Sequence, residues 1–133
     1  PNIPQGIVKD YYITGELQSE QHIVYVDYED DSRSFLEGEQ IFYHKNGNIE
    51  IKQQYYNNLL NGPSISYYSD GKIESEIYYT YGVPDGDAVE YYPNGKMATV
   101  RKFNNGQLYN NKYLYITLLY YKNIERSIRK SKT

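Results

Sequence analysis

Apolar and polar residues alternate in short runs along most of the chain, and each run ends at a turn carrying glycine. "SISYYSDGKIESEIYY" (64–79) and "AVEYYPNGKMATVRKF" (88–103) show the pattern most clearly, and "QIFYHKNGNIEIKQQYY" (40–56) repeats it. A period of two predicts half-buried β-strands, and Asn-Gly or Asp-Gly between two such runs predicts a hairpin.

The runs recur with a fixed spacing. Gly38, Gly62 and Gly86 stand 24 residues apart. Five positions after each comes Tyr43, Tyr67 or Tyr91, followed by His44, Tyr68 or Tyr92. Further on lie a turn glycine (Gly47, Gly71, Gly95), an apolar residue (Ile49, Ile73, Met97) and an aromatic (Tyr55, Tyr79, Phe103). Gly6 starts the same frame with Tyr11, Tyr12, Gly15, Leu17 and Ile23, lengthened by eight residues around "DYEDDSRSF". The frame divides one domain into repeats at about 6–37, 38–61, 62–85 and 86–109, with a degenerate end at 110–133. "LYYKNIERSIRK" (119–130) resembles the same unit without its turn glycine. The preceding "YLYITLLYY" (113–121) is rich in β-branched and aromatic residues, which favours a capping strand over a capping helix.

Turn chemistry sets the register. Pro93 in "PNG" has φ fixed near −65°, which suits the first position of a type I turn, with Gly95 as the left-handed residue of a three-residue loop. "ITG", "KNG" and "SDG" fit the same loop. If pairing runs in step away from it, Tyr67 faces Ile73 and Ile65 faces Ser75. One face then carries Ile65, Tyr67, Ile73, Ser75, Ile77 and Tyr79, and the other Ser66, Tyr68, Glu74, Glu76 and Tyr78. In the fourth repeat Val89, Tyr91, Met97 and Phe103 lie opposite Glu90, Tyr92, Ala98 and Lys102. Hairpins joined through "NNLLNG" (57–62) and "YGVPDG" (81–86) must stack edge to edge, because a lone hairpin is marginal in water. The expected fold is all-β: an elongated antiparallel meander whose open edges invite oligomers by edge pairing unless protected.

Composition supports a thin structure. There are 19 Tyr beside three Phe and no Trp, and Tyr suits a ring that is covered while its hydroxyl reaches water. The absence of cysteine excludes disulfides, thiolate catalysis and sulfur-ligated zinc. A formal charge of −3 gives no general attraction to nucleic acid. The chain starts at Pro1 rather than Met, which fits a removed leader peptide or a trimmed segment equally and leaves its localisation open between cytoplasm and cell envelope.

The repeated "YYSDGKIESEIYYTYGVPDG" pattern (67–86), with its 24-residue spacing, resembles the bacterial variant of the MORN repeat from about Gly6 to Gly106. The resemblance implies an array of hairpins that mediates protein–protein interaction or scaffolding. Some members of that family are labelled antitoxins. Others carry a phosphatidylinositol-4-phosphate 5-kinase label, which belongs to proteins with a separate kinase domain. This chain has no phosphate-cradling loop, and its Gly71-Lys72 and Gly95-Lys96 pairs are hairpin ends. It departs from the family in its lengthened first repeat, in His44 and in the lost glycine of its last repeat.

No constellation for catalysis is readable, and the chain is not expected to be an enzyme or to hold a cofactor. His22 and His44 would share the polar face without a third ligand, so no metal site is expected. Asp27, Glu29, Asp31 and Glu37 lack the spacing and glycine of a calcium loop. Glu74 and Glu76 form a carboxylate pair on a strand with no pocket. The second ring of each repeat has more to offer. Tyr12, His44, Tyr68 and Tyr92 would form a row about 10 Å apart on the polar face, either packing the sheet or docking an unidentified protein partner. Glu20, Glu50, Glu74, Glu76 and Glu90 on that face, against Lys52 and Lys102, would repel phosphates, so nucleic acid is not the expected partner. The basic tail (Arg126, Arg129, Lys130, Lys132) offers association with anionic phospholipid as an alternative, and an immunity-type inhibitor of a toxin is another.

Overall fold

The computed structural model describes residues 5–25, 34–109 and 122–129. Among them β1 (Gln5–Tyr11), β2 (Leu17–Tyr25), β3 (Ser34–Tyr43), β4 (Ile49–Tyr56), β5 (Leu59–Tyr67), β6 (Ile73–Thr80), β7 (Val83–Tyr91), β8 (Met97–Asn104) and the short β9 (Gln107–Leu108) each pair antiparallel with their sequence neighbours. They make one open meander, about 40 Å across at ~4.8 Å per strand. Residues 122–129 form a helix, α1. The eight-residue insertion and the segment 113–121 fall almost wholly or wholly outside the described residues.

Two kinds of turn alternate along the sheet. Within each hairpin the three-residue loop forms as its sequence predicts. In the fourth, the Gly95 N–H donates to the Tyr92 carbonyl and the Tyr92 N–H to the Lys96 carbonyl, both at 2.8 Å, with Gly95 at φ +85°. Between hairpins the chain reverses in only two residues, Asn57-Asn58, Tyr81-Gly82 and Asn105-Gly106. All six have positive φ, the signature of a type I′ turn. The stretches 57–62 and 81–86 are therefore mostly strand rather than loop. One margin of the sheet carries three-residue turns and the other carries two-residue turns.

The in-step register does not hold. Tyr67 does pair with Ile73, but Ser66 pairs with Ser75, Ile65 with Glu76 and Ser64 with Ile77, so Glu74 is an extra, bulged residue. Gln18, Glu50 and Ala98 are bulged at the same place in the other three hairpins. A one-residue bulge exchanges the faces of everything beyond it. Ser75, Ile77 and Tyr79 lie with Ser64 and Ser66, whereas Glu76 and Tyr78 lie with Ile65 and Tyr67. Likewise Phe103 joins Glu90, Thr99 and Arg101, and Lys102 joins Val89 and Tyr91. Each face is consequently mixed.

One face, called here the serine face, carries a polar row across the strands. The Ser19 hydroxyl donates to Asp10 (3.0 Å), Gln53 Nε2 to Ser64 (3.0 Å) and Thr99 to Glu90 (2.9 Å), and Ser66 and Ser75 share a 2.7 Å bond. The other, the helix face, carries Tyr43, Tyr67 and Tyr91 with α1 lying over the fourth hairpin. Lys122 of α1 pairs with Asp87 at 3.9 Å, and Arg126 stacks on the Tyr91 ring. Beneath the helix Val89 and Val100 are buried, and Ala88 and Val24 complete the buried apolar set among the described residues. The core is thin, as 19 tyrosines imply.

The frame glycines Gly38, Gly62 and Gly86 mark a second irregularity. Between hairpins three residues around each of them face a single residue of the preceding strand: His22, Gln54 or Tyr78. Their φ values of +89°, +120° and +106° lie where L side chains are strained. The 24-residue repeat is thus the spacing of a backbone bulge.

Candidate functional site

The predicted row of second rings exists, and it is built into the three-residue-turn margin. Tyr12 donates its hydroxyl to the Tyr43 carbonyl and Tyr68 to the Tyr91 carbonyl, each at 2.7 Å, while His44 Nε2 lies 2.8 Å from the Tyr67 carbonyl. Each side chain therefore bonds the backbone of the next repeat. Asn46 and Asn48 donate to the Ser69 carbonyl (2.7 and 2.8 Å) and Lys72 to that of Pro93 (3.3 Å), tying turn to turn. The three rings are half-buried. Tyr92, at the end of the row, is 55% exposed, and its hydroxyl has no partner among the described residues. Replacing Tyr12 by Phe is expected to lower stability by about 1 kcal/mol, read as a shifted urea midpoint, since the ring and its contact with Lys45 (5.6 Å) stay.

On the helix face the first tyrosines interleave with charges. Tyr91 donates to Glu76 Oε2 at 2.9 Å, and burial together with that carboxylate pushes its phenol up to about 12. Burial and the charge of Glu20 likewise raise Tyr43. Lys9 pairs with Glu20 (3.5 Å) and Lys52 with Glu39 (3.3 Å) in the same row. Burial, followed by the Glu74 charge, raises Tyr68 at the turn margin.

A second aromatic group lies at the opposite margin, where no site is expected from the residue pattern. Tyr56 and Leu59 flank one two-residue turn and pair with each other, and Thr80 pairs with Val83 across the next. Tyr81 sits inside that second turn with its ring edge-on to Tyr56, centroids 6.3 Å apart. Leu59 packs beside Gly82, and Val83 beside Gly106. Tyr56, Leu59, Tyr81 and Val83 are all exposed, Tyr81 at 63%, and Tyr78 is exposed on the adjoining helix face. The patch spans three hairpins, from β4 of the second to β7 of the fourth. Its signal in sequence was Tyr81 itself. The equivalent position of the flanking turns is Asn57 or Asn105, residues that tolerate left-handed backbone, whereas Tyr81 is held at φ +44°.

The other chemistry-bearing residues do not converge. His22 lies on β2 opposite Ile7 and packs beside Gly38, and His44 belongs to the turn margin. Glu74, in the bulge, accepts from Ser66 at 3.2 Å, whereas Glu76 accepts from Tyr91 across the sheet, so the bulge sends the two carboxylates to opposite faces. The acidic row is split in the same way: Glu20 and Glu76 share the helix face with Lys52 and Lys102, and Glu90 is on the serine face beside Arg101. Among the described residues no three His, Asp or Glu lie close enough to hold a metal ion. Asp27, Glu29, Asp31, Lys130 and Lys132 fall outside the described residues, and Glu37 is in β3. Arg126 and Arg129 belong to α1.

Hairpins joined in sequence order, stapled at both margins and repeating every 24 residues, define a hairpin-repeat protein with an open single-layer sheet. Residues 36–58, 60–81 and 84–105, together half of the chain, match the MORN repeat variant, and the chain belongs to that family. No curated protein and no solved structure matches it. The matched spans are the second, third and fourth hairpins. The β1–β2 hairpin lies outside them yet shares their bulge, turn and staple.

Proposed function

We propose that the chain is a non-catalytic scaffold that binds another protein through the patch of Tyr56, Leu59, Tyr81 and Val83. The observation that carries this reading is Tyr81. A bulky side chain at positive φ costs about 1 kcal/mol or more, and a turn selected for the fold alone would hold Asn or Gly there. Among the described residues the exposed ring has one edge-on aromatic neighbour, which recovers little of that cost. Exposed apolar patches of this kind mark interaction surfaces, and tyrosine is enriched where such surfaces bind. The partner should present an apolar face with acceptors for phenol hydroxyls. The row Tyr12, His44, Tyr68 and Tyr92 contributes mainly rigidity, with Tyr92 its one exposed ring.

Tyr81→Asn tests the reading because two effects should move in opposite directions. Stability is expected to rise by up to about 1 kcal/mol, while a partner captured from lysate by the wild-type chain is lost. A partner held equally by both proteins would refute the patch. Retention by Tyr81→Asn combined with loss in Tyr92→Lys would move the site to the end of the tyrosine row.

A further inference from the structure

Where α1 meets the turn of the fourth hairpin, four cationic side chains converge. Arg126 donates through Nη1 to the Gly95 carbonyl, and its guanidinium carbon lies 4.7 Å from the Tyr91 ring centre. Lys72 reaches across from the preceding turn, donating to the Pro93 carbonyl at 3.3 Å and pairing with Asp70 at 3.6 Å. Lys96 follows the turn glycine, and Arg129 stands one helical turn beyond Arg126. With Asn94 and Gly95 they line an open groove of about 490 Å³ that has no acidic residue in its lining. Asn94 Oδ1 accepts from the Lys96 N–H at 2.9 Å, leaving its amide nitrogen as a further donor.

We propose that this groove binds a phosphomonoester group. The whole chain carries −3, so a convergence of four cations is local and has to be held against ordinary dispersal over the surface. Two of the four are braced: Arg126 by the Gly95 carbonyl and the Tyr91 ring, and Lys72 by Asp70 and Pro93. Bracing lowers the ordering cost of binding. Lys96 and Arg129 have no ion pair or side-chain hydrogen bond among the described residues and remain free for a ligand. A single carboxylate offers one charge and two acceptor oxygens, which leaves most of these donors unmatched. A phosphomonoester offers about −1.5 to −2 charges and three strong acceptors, and guanidinium forks match its geometry. A volume near 490 Å³ is in the range of small-molecule sites and leaves room for the group that carries the phosphate. The proposal does not depend on the aromatic patch, which lies on the other margin.

The test titrates the full chain with glycerol 3-phosphate by calorimetry. In parallel, phosphatidylcholine vesicles doped with phosphatidic acid or with phosphatidylserine are assayed by co-sedimentation. The variant is Lys96→Ala combined with Arg129→Ala, whose side chains make no fold contact described above; circular dichroism confirms its fold. Binding of glycerol 3-phosphate, weakened at least about tenfold in the variant, would establish a site for a soluble ligand. Binding confined to phosphatidic acid vesicles, and lost in the variant, would establish the same chemistry with a lipid source. The proposal is overturned if neither phosphomonoester binds or if the variant binds as well as wild type. It is equally overturned if phosphatidylserine vesicles are held as tightly as phosphatidic acid vesicles, which would show diffuse charge alone.

Discussion

Replacing Gly62 by alanine is expected to destabilise the sheet by about 2–4 kcal/mol, more than alanine at any three-residue-turn glycine. Gly62 is buried at φ +120°, outside the ordinary left-handed region, and an added Cβ would stand 3.1 Å from Gln54 Cβ and 3.4 Å from its Cγ. Strain and overpacking therefore add. Gln54 is the single residue that faces the three-residue bulge of β5, so the clash cannot be relieved without moving two strands. Gly71→Ala provides the comparison: φ is +90° and nothing lies within 4 Å of its added Cβ, so only backbone strain of about 1–2 kcal/mol is expected. Urea unfolding of the two variants measures both. Equal costs would mean that β5 does not approach Gln54 as closely as described.

Tyr91→Ala is the second large effect, about 2–4 kcal/mol by thermal or urea unfolding. Its ring lies under Arg126 and its hydroxyl bonds Glu76, so it joins α1 to the sheet and one strand to another. Tyr91→Phe keeps the ring and removes the hydroxyl, and its signature is in the pH dependence. The folded phenol holds its proton up to about 12 against an ordinary value of 10.0. Its contribution is therefore complete below about pH 10 and lost as pH rises from 10 towards 12. Two units correspond to about 2.7 kcal/mol at most, and solvent access to the partly exposed ring reduces this to about 1 kcal/mol. Wild type should lose stability across that window, and Tyr91→Phe should lose less. A slope remains in the variant because Tyr43 and Tyr68 are raised in the same direction. Identical alkaline profiles would separate Tyr91 from the effect.

The repeat and its turns were legible in sequence because they depend on residues with restricted backbones. Pro93 and Gly95 admit one loop type, and that loop forms in all four hairpins. The bulges at Gln18, Glu50, Glu74 and Ala98 were not legible. A bulged residue of this kind needs only a right-handed backbone that any L-residue adopts, so four unlike side chains occupy it without a mark. Ile73 and Ile77 then read as one stripe although the bulge puts them on opposite faces. The frame glycines were visible as spacing, but their role became clear only from the strands on either side. The second tyrosines illustrate a different limit. Strand parity places them outward, yet they stand where the strand ends, and a phenol there reaches a carbonyl of the next repeat. Tyr81 carried a signal that could have been read: it interrupts a position held by Asn57 and Asn105. A repeat frame rests on positions that agree between repeats and so passes over the one that differs.

The face assignment decides which residues a partner can meet, and a cysteine-free chain allows a direct measurement of it. Ile65 is opposite Glu76 in the bulged register, and would be opposite Ser75 if pairing ran in step from the turn. Ile65→Cys combined with Glu76→Cys should form a disulfide under mild oxidation. Ile65→Cys combined with Ser75→Cys should not, because those side chains point to opposite faces. The reverse outcome would contradict the bulge. It would also move Tyr78 away from the aromatic patch and Glu76 away from Tyr91.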